Sequence, residues 1–162
     1  MAAQLNHTIV WSSDQTMSAR FLAEMLGRPA PTRFGHFDVV ELDNGVSLDF
    51  ADAEGPIRPQ HYAFLISDAD FDAVLSRIRE RGLEHWADPM RHRPGEINHN
   101  DGGRGVYFPD HAGHYLEVIT RPTGAVPAEP AVSGLLIPIP SHADRPAAVA
   151  SLTSSKRPLR TS

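Results

Sequence analysis

The chain has 162 residues, 41% hydrophobic and 22% charged, which suits one domain with a sizeable core or two small halves sharing one. With 15 basic against 20 acidic residues and a formal charge of -5, it lacks the broad cationic field that nucleic acid or an anionic membrane would require. It contains no cysteine, which excludes disulfides, thiolate zinc sites and a cysteine nucleophile, so any metal must be held by nitrogen and oxygen.

Met1 to Val10 has neither the basic n-region nor the long apolar run of a signal peptide, and no apolar stretch reaches membrane-spanning length. A cytoplasmic protein is expected. Leu5 to Trp11, rich in apolar and β-branched residues, predicts a strand. Ser12-Ser13-Asp14 supplies capping groups for a helix from about Gln15 to Leu26, whose stripe is Phe21, Leu22, Met25 and Leu26 and whose end is Gly27. Phe37 to Leu42, the turn Asp43-Asn44-Gly45 and Val46 to Phe50 read as a hairpin. Gly55-Pro56-Ile57-Arg58-Pro59 is a short linker.

The grammar then repeats. His61 to Ser67 predicts a strand, Asp68-Ala69-Asp70 a cap region, and Phe71, Val74, Leu75 and Ile78 a helical stripe ending at Gly82. Val106-Tyr107-Phe108 and His114 to Thr120 predict strands joined by a turn around Asp110 to Gly113. The expected organisation is one domain over residues 1–121, with module one at about 4–54 and module two at about 60–121. Beyond it, residues 122–162 are rich in Pro, Ala and Ser and predict a disordered or extended tail, with one apolar patch at Gly134-Leu135-Leu136-Ile137-Pro138.

The repeat sets His7 against His61, and Asp49 against Glu117. In a strand, residues two apart share a face. If the helices cover the faces carrying Val10, Phe64 and Val118, then His7, His61 and Glu117 all project from the other side. A lone histidine in an apolar strand is more often a hydrogen-bonded core group. Two at equivalent positions with a carboxylate are better explained by metal, since burying three such groups without a partner is costly. Two imidazoles and one carboxylate leave positions open for substrate or oxygen, the arrangement associated with non-haem iron(II). Iron(II) is therefore the favoured divalent metal, with manganese, nickel, cobalt and zinc as alternatives.

Leu5-Asn6-His7, Gln60-His61-Tyr62-Ala63-Phe64 and the run from Gly105 to Glu117 resemble the vicinal oxygen chelate superfamily over about residues 4–121. This group includes glyoxalases, bleomycin-resistance proteins, extradiol dioxygenases and fosfomycin-resistance enzymes. The resemblance implies an α+β fold of two tandem βαβββ modules forming a cupped mixed or antiparallel sheet around a metal held by His7, His61 and Glu117. It also implies a small-molecule substrate and a homodimer, with the site formed within one chain or exchanged between two.

Ile97-Asn98-His99, Val106-Tyr107, Asp110, Gly113 and Glu117 are similar to the extradiol signature, with His111 where proline is usual. In such enzymes the positions matched by His99 and Tyr107 flank the substrate hydroxyls, so the leading expectation is a ring-cleaving oxygenase acting on a catechol-type substrate. Ser47 and Asp49 stand where those enzymes carry a further acid/base histidine. Asp49 instead favours the alternative of a glyoxalase-like lyase or isomerase, in which an acid from module one acts as ligand or base. A fosfomycin-type transferase and a non-catalytic drug-binding protein are further alternatives, and the intact triad argues against the last. His114 is expected to be structural, and His36, His85, His92 and His142 to lie on the surface. Arg91, Arg93 and Arg104 either attract an anionic substrate or form a solvated face. Trp11, Phe37, Trp86 and Tyr115 are candidates to line the pocket.

Overall fold

A computed structural model describes residues 2–124; the expected tail beyond them, with its apolar patch and His142, lies outside the described residues. The first module comprises β1 (His7–Ser12), α1 (Gln15–Leu26), β2 (Thr32–Phe34), β3 (Phe37–Glu41) and β4 (Ser47–Asp52). The second comprises β5 (His61–Leu65), α2 (Asp68–Glu80), β6 (Gly105–Pro109) and β7 (Tyr115–Ile119). Among the described residues no helix is long and apolar enough to cross a membrane.

Both helices start and stop on local chemistry. The Asp14 side chain accepts the Met17 N–H at 2.8 Å, and Gly27 closes α1 in the left-handed region at φ 65°, where a side chain would be strained. In α2 the cap is Ser67, which accepts the Asp70 N–H at 3.1 Å, so Asp68-Ala69-Asp70 forms the first turn rather than the cap expected from sequence. Two acids at its N-terminus and Arg77 and Arg79 at its C-terminus oppose the helix dipole.

The strands form two mixed sheets, ordered β1-β4-β3-β2 and β5-β7-β6. In each, the first and last strands of the module pair in parallel, and the last pairs antiparallel with the one before it. The short edge strand β2, in a polar stretch without apolar alternation, was not predicted. The matching edge of the second sheet is reduced to isolated bridges, Trp86 to Tyr107 and Asn98 to Gly105. The modules are therefore βαβββ-like, the second one shortened.

Alternation divides each sheet into a covered and an open face. Val10, Val40, Leu48 and Phe50 in the first sheet, and Phe64, Val106, Phe108, Leu116 and Val118 in the second, join Phe21, Leu22, Met25, Phe71, Val74 and Ile78 of the helices in one core. The predicted stripes are thus the buried ones. β1 and β5 are edge strands whose open faces carry exposed apolar side chains: Ile9 is 40%, Trp11 50% and Leu65 60% exposed.

Candidate metal centre

The pairing registers show that the two modules raise the same pair of groups. His7 lies opposite Ser47, with Asp49 two residues further along β4; His61 lies opposite Tyr115, with Glu117 two residues further along β7. All four project from the open faces, opposite Val10, Phe64 and Val118. Here the modules diverge. In the second, His61 Nε2 stands 3.2 Å from Glu117 Oε2, the carboxylate buried and the imidazole half exposed. In the first, buried Asp49 accepts a hydrogen bond from Ser47 Oγ at 2.8 Å, while exposed His7 pairs with Asn6.

Backbone chemistry assigns the proton on His61. Its Nδ1 lies 3.1 Å from the Tyr115 carbonyl oxygen, which only accepts, so Nδ1 carries a hydrogen and Nε2 is the nitrogen turned toward Glu117. Two electron pairs held this close repel unless a cation, a proton or a metal ion, sits with them. An imidazole tied through Nδ1 to a carbonyl, with Nε2 facing a buried carboxylate, offers the donor atoms a divalent metal uses, and the carbonyl is the outer partner that orients such a ligand. His61 and Glu117 therefore fit a metal. His7 Nδ1 lies 2.8 Å from Asn6 Oδ1 and, with the amide oxygen accepting, is prepared in the same way.

Among the described residues, no three His, Asp or Glu side chains converge at metal-binding range. The structure brings His61 and Glu117 together and leaves His7 on the other sheet. Tyr107 completes the local group. It lies opposite Glu117 across β6 and β7, and its ring stacks on His61 with centroids 5.7 Å apart. Burial first, then the adjacent Glu117 carboxylate, push its phenol well above the ordinary value, so it keeps its proton at neutral pH.

His99 caps the 3-10 turn Asn100–Gly102 and is exposed, with no side-chain cap hydrogen bond. His114 is structural, as expected: 1% exposed, it accepts the Gln60 N–H on Nδ1 at 2.9 Å and donates from Nε2 to the Trp11 carbonyl at 2.8 Å. It thereby joins β1 to the start of β5 and β7. His111 packs edge-on against Phe21, with centroids 4.7 Å apart. His36 and His92 are exposed; His85 is half buried, its Nε2 enclosed without a partner among the described residues, which corrects the surface assignment. Tyr115 and Trp86 fall on the face with Glu117, Trp11 and Phe37 on the face with Asp49. The Tyr115 carbonyl was missed as a functional group because only strand register reveals it. Asn6, beside His7, was legible in the sequence.

The profile described as "Glyoxalase/Bleomycin resistance protein/Dioxygenase superfamily" matches residues 4–118. Among solved structures, the oxidase ChaP-H1 is 63% identical, covering 76% of this chain and 100% of its own with a TM-score of 0.75. The oxidase ChaP-H2 is 60% identical, covering 77% and 98% with a TM-score of 0.75. The glutathione transferase FosA of Serratia marcescens is 28% identical over 124 residues, 73% of this chain and 81% of that protein.

Proposed function

The chain belongs to the glyoxalase/bleomycin resistance protein/dioxygenase superfamily, and from that premise we propose that it is a metal-dependent oxygenase acting on a catechol-type or related phenolic small molecule. The observation that carries this reading is His61, hydrogen-bonded through Nδ1 to the Tyr115 carbonyl with Nε2 3.2 Å from Glu117 Oε2. The similarity to two proteins named oxidases supports oxidation over the other reactions of the superfamily.

In this reading His61 and Glu117 hold the metal, with iron(II) favoured, and His7 of a second copy supplies the third ligand. The exposed Ile9, Trp11 and Leu65 on the edge strands favour such a homodimer, since apolar groups flanking the ligands gain from being covered. Bound iron(II) would supply Lewis acidity toward adjacent substrate oxygens and the redox capacity to engage dioxygen. The residues do the rest. Tyr107, held as a phenol, donates to a substrate oxygen beside Glu117. Asp49 of that second copy, on the face that carries its His7 and fixed by its Ser47, accepts the proton of a substrate hydroxyl.

Thermal stability with iron(II), manganese(II), nickel(II) and zinc(II), followed by oxygen uptake with a catechol panel on the iron-loaded protein, tests this. A saturating metal at a hundred times its dissociation constant adds about 2.7 kcal/mol. The gain should vanish in His61→Ala and Glu117→Gln and weaken in His7→Ala. No gain from any metal would refute the enzyme reading. A gain without oxygen consumption would move the assignment to Asp49-assisted lyase or isomerase chemistry, the second reading that the buried, hydrogen-bonded Asp49 favours.

A further inference from the structure

Beside this centre lies a cation that the ligand geometry does not use. The Arg91 guanidinium carbon sits 4.3 Å from the centroid of the Trp86 ring and 5.0 Å from that of Tyr115. Both rings belong to the open face of the second sheet. Tyr115 is two residues from Glu117 on β7, and Trp86 bridges to Tyr107, which in turn lies opposite Glu117. The guanidinium therefore rests on the same surface as the His61–Glu117 pair.

Its position is imposed by the backbone. Arg91 is a non-glycine residue at φ 62°, in the left-handed region that favours glycine. The turn holding it is built around Asp88, whose carboxylate accepts the N–H groups of Met90 at 3.0 Å, His92 at 3.2 Å and Arg93 at 3.0 Å, and whose carbonyl accepts that of Arg91 at 3.1 Å. Arg28, Arg33, Arg81, Arg93 and Arg104 each pair with a carboxylate. Among the described residues no hydrogen bond or ion pair engages the Arg91 guanidinium. Aromatic rings hold its plane but leave its N–H edge free, and that edge suits a planar oxyanion.

We infer that Arg91, seated on Trp86 and Tyr115, is a specificity-determining residue that binds a carboxylate on a planar aromatic substrate lying across the open face beside His61 and Glu117. The inference rests on the proposed function for where the chelating oxygens go, but the anion contact itself needs no metal. Tyr115 serves twice, orienting the guanidinium and offering ring surface to the substrate, while the buried Trp86 only backs the guanidinium.

Two probes that differ by one carboxylate separate this role from a structural one. Binding of 3,4-dihydroxybenzoate and of catechol is measured by equilibrium dialysis, with tryptophan emission as a second readout, on metal-free and manganese(II)-loaded protein. Wild type should bind the carboxylate-bearing probe about ten- to a hundredfold more tightly, the range of a charge-assisted hydrogen bond. Arg91→Gln should lose that preference while its catechol affinity stays within about twofold and its unfolding temperature falls by no more than a few degrees, the cost of the lost cation–π contacts. Arg91→Gly, which suits the left-handed backbone, should lose it too. Equal affinity of wild type for the two probes, or a preference surviving in both variants, overturns the assignment. If the preference is present but no metal stabilises the protein, the anion site stands and the metal-centre reading falls.

Discussion

Replacing His114 with phenylalanine keeps a ring of nearly the same size in the core but removes both nitrogens. Two backbone groups then lose their partners, the Gln60 N–H at 2.9 Å and the Trp11 carbonyl at 2.8 Å. A buried polar group left unsatisfied costs about 1–3 kcal/mol. Gln60 and Trp11 are themselves exposed residues, so water offsets part of this, and the lower part of the range, about 1–2 kcal/mol each, applies. The edge-on contact with Tyr62, with centroids 5.6 Å apart, survives the change. The expected loss is therefore about 2–4 kcal/mol, a fall in unfolding temperature on the order of 10 °C for a fold of this size. Calorimetry or circular dichroism measures it, with His92→Phe, at an exposed side chain, as a control expected to change little. Because Gln60 precedes His61 and Trp11 lies on the strand of His7, metal-dependent stabilisation should weaken as well. A shift of less than about 2 °C, near the value for the control, would refute the idea that the imidazole ties the modules together through its hydrogen bonds.

Gly105→Ala should destabilise by about 1–3 kcal/mol in urea unfolding, since the new methyl would meet Asn98 Nδ2 and Oδ1 at 2.8 Å, and Asn98 is held by its Nδ2 bond to the Ala87 carbonyl. Adding Asn98→Ala should cost less than the two single changes together; strict additivity would contradict the clash. Asp38 accepts a hydrogen bond from the Thr16 hydroxyl at 2.7 Å, and this contact first, with Arg33 and Gln15, lowers its carboxyl below the ordinary 3.8. A depressed folded-state value contributes stability that is present above 3.8 and lost as pH falls through it. The stability gap between wild type and Asp38→Asn should therefore hold at neutral pH and close in acid, and a gap unchanged down to about pH 2 would contradict this assignment.

Much of the scaffold was legible because its signals are local. The spacing of Phe21, Leu22 and Met25, and of Phe71, Val74, Leu75 and Ile78, marks helix faces whatever they pack against. Alternation likewise set His7, His61 and Glu117 opposite the core, and the register then matched Asp49 to Glu117 as the repeat had suggested. The short strand β2 was not legible, for it has no apolar pattern and is held only by pairing with β3. The tautomer of His61 was hidden too, because its partner is a main-chain oxygen 54 residues away in sequence.

By itself, then, the sequence determined the two modules, their buried faces and the candidate ligands on the open ones. Tertiary structure alone decided that His61 and Glu117 meet at 3.2 Å while His7 stands apart, and that Arg91 lies over Trp86 and Tyr115 on the same face as Glu117. The reason is physical: the two-residue period of a strand assigns a side chain to a face, whereas the distance between faces depends on how two sheets dock. That docking is governed by contacts such as His114 to Trp11, whose energy no local pattern encodes.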